Sequence, residues 1–182
     1  MTIERKQIQH AVISLLVVLV NYVADQASKH WAVVSLKGKG VIKVIGDFFI
    51  LVYAENTGAF LSAGAGWPSA LKYILLLILP LVLCIFGLYY IVFKEKRLGR
   101  AIVLACIIGG GLGNLIDRLF NNFIVVDFLN FGIGRLRTGV LNIADISVTF
   151  GAIAYIIAES MTKKADAVPA QETSPSDIDS NK

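Results

Sequence analysis

The chain has 182 residues, of which 56% are hydrophobic and only 16% charged, with a net charge of +4 and a mean hydropathy of +0.71. A water-soluble domain carries roughly a quarter charged residues, so a soluble globular fold is excluded. The expectation is one integral membrane domain over residues 1–164, mainly α, with a basic balance suited to anionic lipid and nothing that points to nucleic acid.

Four segments approach the roughly 20 apolar residues that a bilayer core demands. The first, residues 8–24, follows Arg5 and Lys6. Tyr22-Val23-Ala24 would pass as the cleavage site of a signal peptide. Just beyond it, however, Asp25 and Lys29 stand four apart, on one helix face in the favourable acid-first order. The helix is therefore expected to continue past them and to break at Gly38 and Gly40. Two runs rich in β-branched and aromatic residues follow, 41–45 and 48–53, split by Gly46-Asp47. They predict a small sheet on the outer membrane surface, within a β-rich stretch 41–66. Asn56-Thr57-Gly58-Ala59-Phe60 reads as a turn, and Trp67 lies at interface depth among the breakers Gly64, Gly66 and Pro68.

The second and third spans are expected at 71–93 and 101–116, joined by a loop of only seven residues, 94–100. In the third, Ala105, Gly109 and Gly113 recur every four residues, a seam of small side chains that allows close helix packing. The polar stretch 117–140 leads to the fourth span, 141–161. Residues 165–182 are rich in Pro, Ser and Asp, lack apolar periodicity and are expected to form a disordered cytoplasmic tail. Arg5 and Lys6, then Lys94, Lys96, Arg97 and Arg100, then Lys163 and Lys164 fall on one side of a four-span topology. The positive-inside rule makes that side cytoplasmic, with both termini, and turns the polar stretches outward.

Several chemistries are absent. Cys84 and Cys106 lie mid-span, where a thiol stays protonated and packs as a small apolar group. His10 and His30 cannot assemble a His/Cys metal set, so neither metal nor cofactor is expected. No Gly-x-Ser-Gly is present, and the adjacent Ser28 and Lys29 cannot face each other on a helix. Gly113 is followed by Asn114, and Gly134 by Arg135, so no Gly-x-Gly-Asp exists either; the second of these stretches is expected to be a loop turn.

Two aspartates remain, Asp127 in Val-Val-Asp-Phe and Asp145 in Asn142-Ile-Ala-Asp. Carboxylates at the edge of hydrocarbon are costly to keep charged and indicate function by default. A pair suggests a dyad in which one takes a proton from water while its protonated neighbour polarises a carbonyl. Simpler accounts exist for each box: Asn142 and Asp145 could cap the fourth helix, and Asp117–Arg118 could be an interface pair with a snorkelling arginine. A small transport or binding protein using the aspartates as a proton or cation site is the alternative, although no internal repeat supports a carrier.

Taken together, Asp25-Gln-x-x-Lys29, Asn56-x-Gly58, Gly-Asn114-Leu-Ile-Asp117-Arg118, Val-Val-Asp127-Phe and Asn142-x-Ala-Asp145 occur in one order on one side of the four spans. This pattern, covering roughly residues 20–158, resembles the bacterial lipoprotein signal peptidases, signal peptidase II. The resemblance implies four transmembrane helices with a β-cradle and an outer-surface helix, in the bacterial inner membrane, with the active site at the outer face. It implies cleavage of diacylglyceryl-modified prolipoproteins just before the lipidated cysteine, by a monomer among membrane lipid. By the same resemblance Asp127 and Asp145 match catalytic residues, and Asn56, Asn114, Arg118 and Asn142 match substrate-binding residues. Asp25, Lys29 and Asp117 match polar support. Two departures stand out: Phe60 follows Ala59 directly, with Leu61 in the usual aromatic place, and Glu55 stands where an arginine is common.

Overall fold

The computed structural model describes residues 5–59 and 63–166. The expected tail from 167 onward, and the departures at Phe60 and Leu61, lie outside the described residues.

Helix α1 spans Arg5–Leu36, about 48 Å at 1.5 Å per residue, which is longer than a bilayer core is thick. It includes the expected span 8–24, passes Asp25 and Lys29, and ends where Gly38 turns left-handed at φ 81°. Its buried residues Ser14, Val18, Asp25, Lys29, Ala32 and Leu36 recur at intervals of three, four or seven, one helical face. The first part of that face anchors in the bundle, and the second carries charge toward the site.

Strands β1 (Ile42–Ile45) and β2 (Phe49–Asn56) follow, joined through Gly46 at φ 51°. Helix α2 (Ser69–Phe93) contains a π-helical stretch, Tyr73–Ile78. Pro80 has no N–H to close the turn on Leu76, so the helix widens just before it. After α3 (Leu98–Phe120), strand β3 (Val125–Ile133) and a short β4 (Leu136–Arg137), helix α4 covers Ile143–Asp166. All four helices are long and apolar enough to cross a membrane.

The sheet is antiparallel in the order β1-β2-β3-β4. Strand β3 was not legible beforehand. Val125 through Asn130 are buried without interruption, so the strand has no inside–outside alternation and its period-2 signal disappears. Two further expectations need correction. The β-rich stretch ends at Asn56 rather than 66, and no separate outer-surface helix appears among the described residues. Gly64 at φ 75°, with Gly66 and Pro68, keeps the segment before α2 in turns.

Two cores hold the molecule. Between the helices, Val18, Cys84, Ile91, Ala101, Ala105, Ile108 and Leu115 pack together, where lipid offers no hydrophobic drive and close packing decides association. The seam in α3 serves this contact. A Cβ on Gly109 would lie 2.8 Å from the Val18 carbonyl oxygen of α1, and one on Gly110 2.6 Å from the Ala144 carbonyl oxygen of α4. A Cβ on Gly113 would collide with the Asp25 carboxylate, so the last glycine makes room for a charge. The second core, Ala32, Leu36, Val126, Phe128, Leu129 and Leu141, clamps the end of α1 to the sheet. There each buried Val, Leu or Phe contributes about 1.5–3 kcal/mol where water is the alternative.

Candidate active site

Asp127 sits mid-strand in β3, opposite Ala54 of β2, and is only 2% exposed. Asp145 lies three residues after Asn142, the residue preceding α4. The Asn142 Oδ1 accepts the Asp145 N–H at 2.9 Å, while the Asn142 N–H donates to Asp145 Oδ2 at 3.3 Å. This is a reciprocal cap, so the capping account of this box holds, and the cap itself orients Asp145.

Three asparagine amides link the carboxyls. Asn56 Nδ2 donates to Asp127 Oδ2 at 2.9 Å, and Asn142 Nδ2 to Asp127 Oδ1 at 2.7 Å. Asn114 Nδ2 donates to Asp145 Oδ1 at 2.9 Å, while its Oδ1 accepts from Asn142 Nδ2 at 3.1 Å. The Asn56 Oδ1 in turn accepts the Gly58 N–H at 2.8 Å, an Asx turn that fixes the amide. Strand, helix cap and α3 are thus connected through a single polar chain.

Behind it lies an ion cluster. Lys29 Nζ is 2.7 Å from Asp25 Oδ2 and 2.6 Å from Asp117 Oδ2, with all three side chains at most 5% exposed. Its remaining proton goes to Asn114 Oδ1 at 2.8 Å. Asp25 Oδ1 accepts the Ala144 N–H at 2.9 Å, one of the free donors in the first turn of α4. Gln26, quoted in the motif but given no role from sequence, reaches both Asp25 and Asp117 at 3.2 Å. Asp117 therefore pairs with Lys29 and not with its neighbour Arg118.

Arg118 instead donates to the Gly58 carbonyl at 2.8 Å and to the Asn114 carbonyl at 3.2 Å. Its Nε is buried with no acceptor among the described residues. Phe123, at φ 68°, lies between the Arg118 guanidinium (6.0 Å) and the Tyr73 ring (5.0 Å) and holds the turn after α3. Sequence gave no signal for this contact, because a left-handed Phe is unusual.

Asn56, Asn114, Arg118, Asp127 and Asp145 all border one cavity of about 330 Å³, closed on its α2 side by Leu75, Leu76 and Pro80. The widened turn of α2 thus becomes a wall of the cavity. Burial, reinforced by the Asp145 charge, pushes the Asp127 carboxyl up to about 6, although the Asn56 and Asn142 amides hold it back. Among the described residues no group of three His, Cys, Asp or Glu side chains is placed to hold a metal ion.

Two carboxyls that share hydrogen-bonded amides and one cavity, at the head of four membrane helices, are what an aspartic membrane protease requires. Relatives narrow that class to a family. The model of signal peptidase (SPase) II matches residues 17–161. The lipoprotein signal peptidase of Borrelia hermsii (strain HS1 / DAH) is 35% identical, over 90% of this chain and 96% of its own length. That of Borreliella burgdorferi (strain ZS7) is also 35% identical, over 77% and 85%. A bacterial membrane enzyme solved by the in meso method at 2.3 Å superposes with a TM-score of 0.74 at 25% identity, covering 87% of this chain and 93% of that one. The chain belongs to the signal peptidase II family.

Proposed function

We propose that Asp127 is the general base and Asp145 the acid of this protein. As a member of its family the chain is an aspartic endopeptidase that removes signal peptides from prolipoproteins, and the carrier reading of the paired aspartates gives way to it. Unequal hydrogen bonding of the two carboxyls supports the assignment. Both Asp127 oxygens accept short amide bonds, 2.9 and 2.7 Å, which favours the ionised form. Among the described residues Asp145 Oδ2 has only the 3.3 Å contact from Asn142, so it is the oxygen left to carry a proton. Ionised Asp127 takes a proton from water as its oxygen attacks the scissile carbonyl, which the Asp145 hydroxyl polarises. When the C–N bond breaks, the proton on Asp127 passes to the leaving amine.

In this reading Asn56, Asn114 and Asn142 act mainly by holding the dyad, and Arg118 faces substrate from the wall of the cavity. Asp25, Lys29 and Asp117 support Asn114. The protein is proposed to act as a monomer among membrane lipid. The substrate carries diacylglycerol on the cysteine that follows the scissile bond. Its signal helix resides in lipid whether or not that group is present, so the lipid must set the register of the bond against the dyad. Initial rates for modified and unmodified prolipoprotein in the same micelles test this. Rapid cleavage of the modified form alone is expected; equal rates would leave a general aspartic membrane protease.

The dyad is proposed to face outward from the bacterial inner membrane, with both termini cytoplasmic. The sheet and site lie at one end of the bundle, and the 94–100 loop with its four basic residues joins α2 to α3 at the other. In a background with Cys84 and Cys106 replaced by alanine, Lys39→Cys and Arg135→Cys should react with a membrane-impermeant maleimide added to intact cells. Lys96→Cys should not, and its labelling would invert the topology.

A further inference from the structure

Asp145 borders a second cavity, on the other flank of α4. It measures about 380 Å³ and lies between the β3–β4 end of the sheet, through Phe131, Thr138 and Leu141, and α4, through Ile146, Thr149 and Phe150. Its walls are apolar because the polar groups around it are already paired. The Leu141 N–H donates to the Leu129 carbonyl at 2.7 Å, and the Leu141 carbonyl accepts the N–H groups of Phe128 and Leu129, both at 2.8 Å. The Thr138 hydroxyl accepts the Phe131 N–H at 3.0 Å, and the Phe131 ring is stacked on Phe49 with centroids 4.8 Å apart.

The slot runs from Asp145 at one end to lipid at the other. Phe150, 67% exposed on a face that continues through Ile153 and Ile157, marks the lipid end, about 7.5 Å further along the helix at 1.5 Å per residue. An apolar ligand can thus enter from the bilayer without crossing water. At about 380 Å³ the slot is more than twice the roughly 150 Å³ apolar cavity that takes up benzene, which is more room than a single aliphatic side chain of a signal segment fills.

We propose that this slot receives an acyl chain of the substrate's diacylglyceryl group, and that this seating brings the adjoining peptide bond to Asp145. The proposal rests on the lipoprotein-processing reading above and adds to it the place where the lipid is read. The polar cavity on the other flank then takes the peptide, so the substrate straddles Asp145.

The test uses the purified full chain and two prolipoprotein substrates, one with palmitoyl and one with butyryl chains on the cysteine. The native protein is expected to favour the long chain by about tenfold or more in kcat/KM, with kcat sharing in the difference because seating sets the register of the bond. Thr149→Trp, which fills the slot from an exposed position, should bring that ratio close to one while butyryl-substrate turnover stays within about twofold of native. Thr149→Val should behave as native. Both proteins meet the same substrates, so micelle partitioning cancels from the comparison.

An unchanged chain-length ratio in Thr149→Trp, or an equal loss on both substrates, overturns the slot. So does a native protein that cuts both equally, while leaving lipoprotein processing intact; a native protein that cuts neither overturns both readings. A second measurement is independent of the folding of Thr149→Trp. A diazirine on the palmitoyl chain should crosslink to Ile146 or Phe150 in the Asp127→Asn protein. Crosslinks confined to other helices, or obtained equally from a diazirine-labelled bulk phospholipid, overturn it.

Discussion

Asp127→Asn and Asp145→Asn each lower turnover by at least about a hundredfold, the usual contribution of a positioned acid or base. Asparagine keeps the shape of aspartate but cannot exchange a proton. At position 127 it also turns an N–H toward either the Asn56 or the Asn142 amide, each now an acceptor-seeking donor within 2.9 Å. Leaving one such donor unpaired costs about 1–3 kcal/mol, partly offset because a buried charge is removed, so the thermal unfolding of the variant in detergent stays close to native. The pH profile separates the two roles. With its pKa raised to about 6, Asp127 is ionised at neutral pH and takes a proton as pH falls through that value. Native kcat/KM therefore declines on the acid side, approaching tenfold per unit below about pH 6. Residual activity of Asp145→Asn keeps an acid limb, displaced to lower pH because no Asp145 charge then raises Asp127, whereas that of Asp127→Asn lacks it. Near-native turnover in either variant, or a native profile flat down to about pH 5, would remove the dyad assignment.

Lys29→Met produces the largest loss of stability. Among the described residues Lys29 is the cation paired with both Asp25 and Asp117, at 2.7 and 2.6 Å in surroundings at most 5% exposed. Removing one partner of a buried ion pair costs about 3–5 kcal/mol, because the other charge stays behind without compensation. Here two carboxylates are left, so the unfolding temperature in detergent should drop sharply and expression with it. Neutralising them as well, in Asp25→Asn/Lys29→Met/Asp117→Asn, should restore most of the stability. Activity should remain low, since no ammonium would then hold Asn114 Oδ1 and turn its Nδ2 toward Asp145. A Lys29→Met protein as stable and active as native would mean that the cluster is ornamental.

Glu55 ties the edge of the sheet to the end of α1. Glu55 accepts from the Tyr53 hydroxyl at 2.7 Å and from Lys37 Nζ at 3.0 Å, and Lys37 also lies 5.2 Å over the Tyr53 ring. Hydrogen bonds from Tyr53 and Lys37 hold the Glu55 carboxyl below its ordinary value. The tie runs through an exposed group that salt will screen.

Sequence by itself determined the class of molecule, because hydropathy over about 20 residues is a property of a segment alone. Four spans, the two first strands and the break at Gly38 were legible for that reason. The polar boxes were legible because Asp127, Asp145 and their asparagines are rare in apolar surroundings, and the order of the boxes pointed to the family. Tertiary structure decided what those boxes touch. Asp117 and Arg118 are adjacent in sequence, yet adjacent helix residues point apart, so Asp117 found Lys29 across the bundle and Arg118 found Gly58. Strand β3 carried no pattern because both its faces are buried, one by α1 and one by the bundle end. The last glycine of the α3 seam looked like simple packing until Asp25 was seen against it. The division of labour between two chemically identical carboxyls depends on which donors surround each oxygen, and only long-range packing places them there.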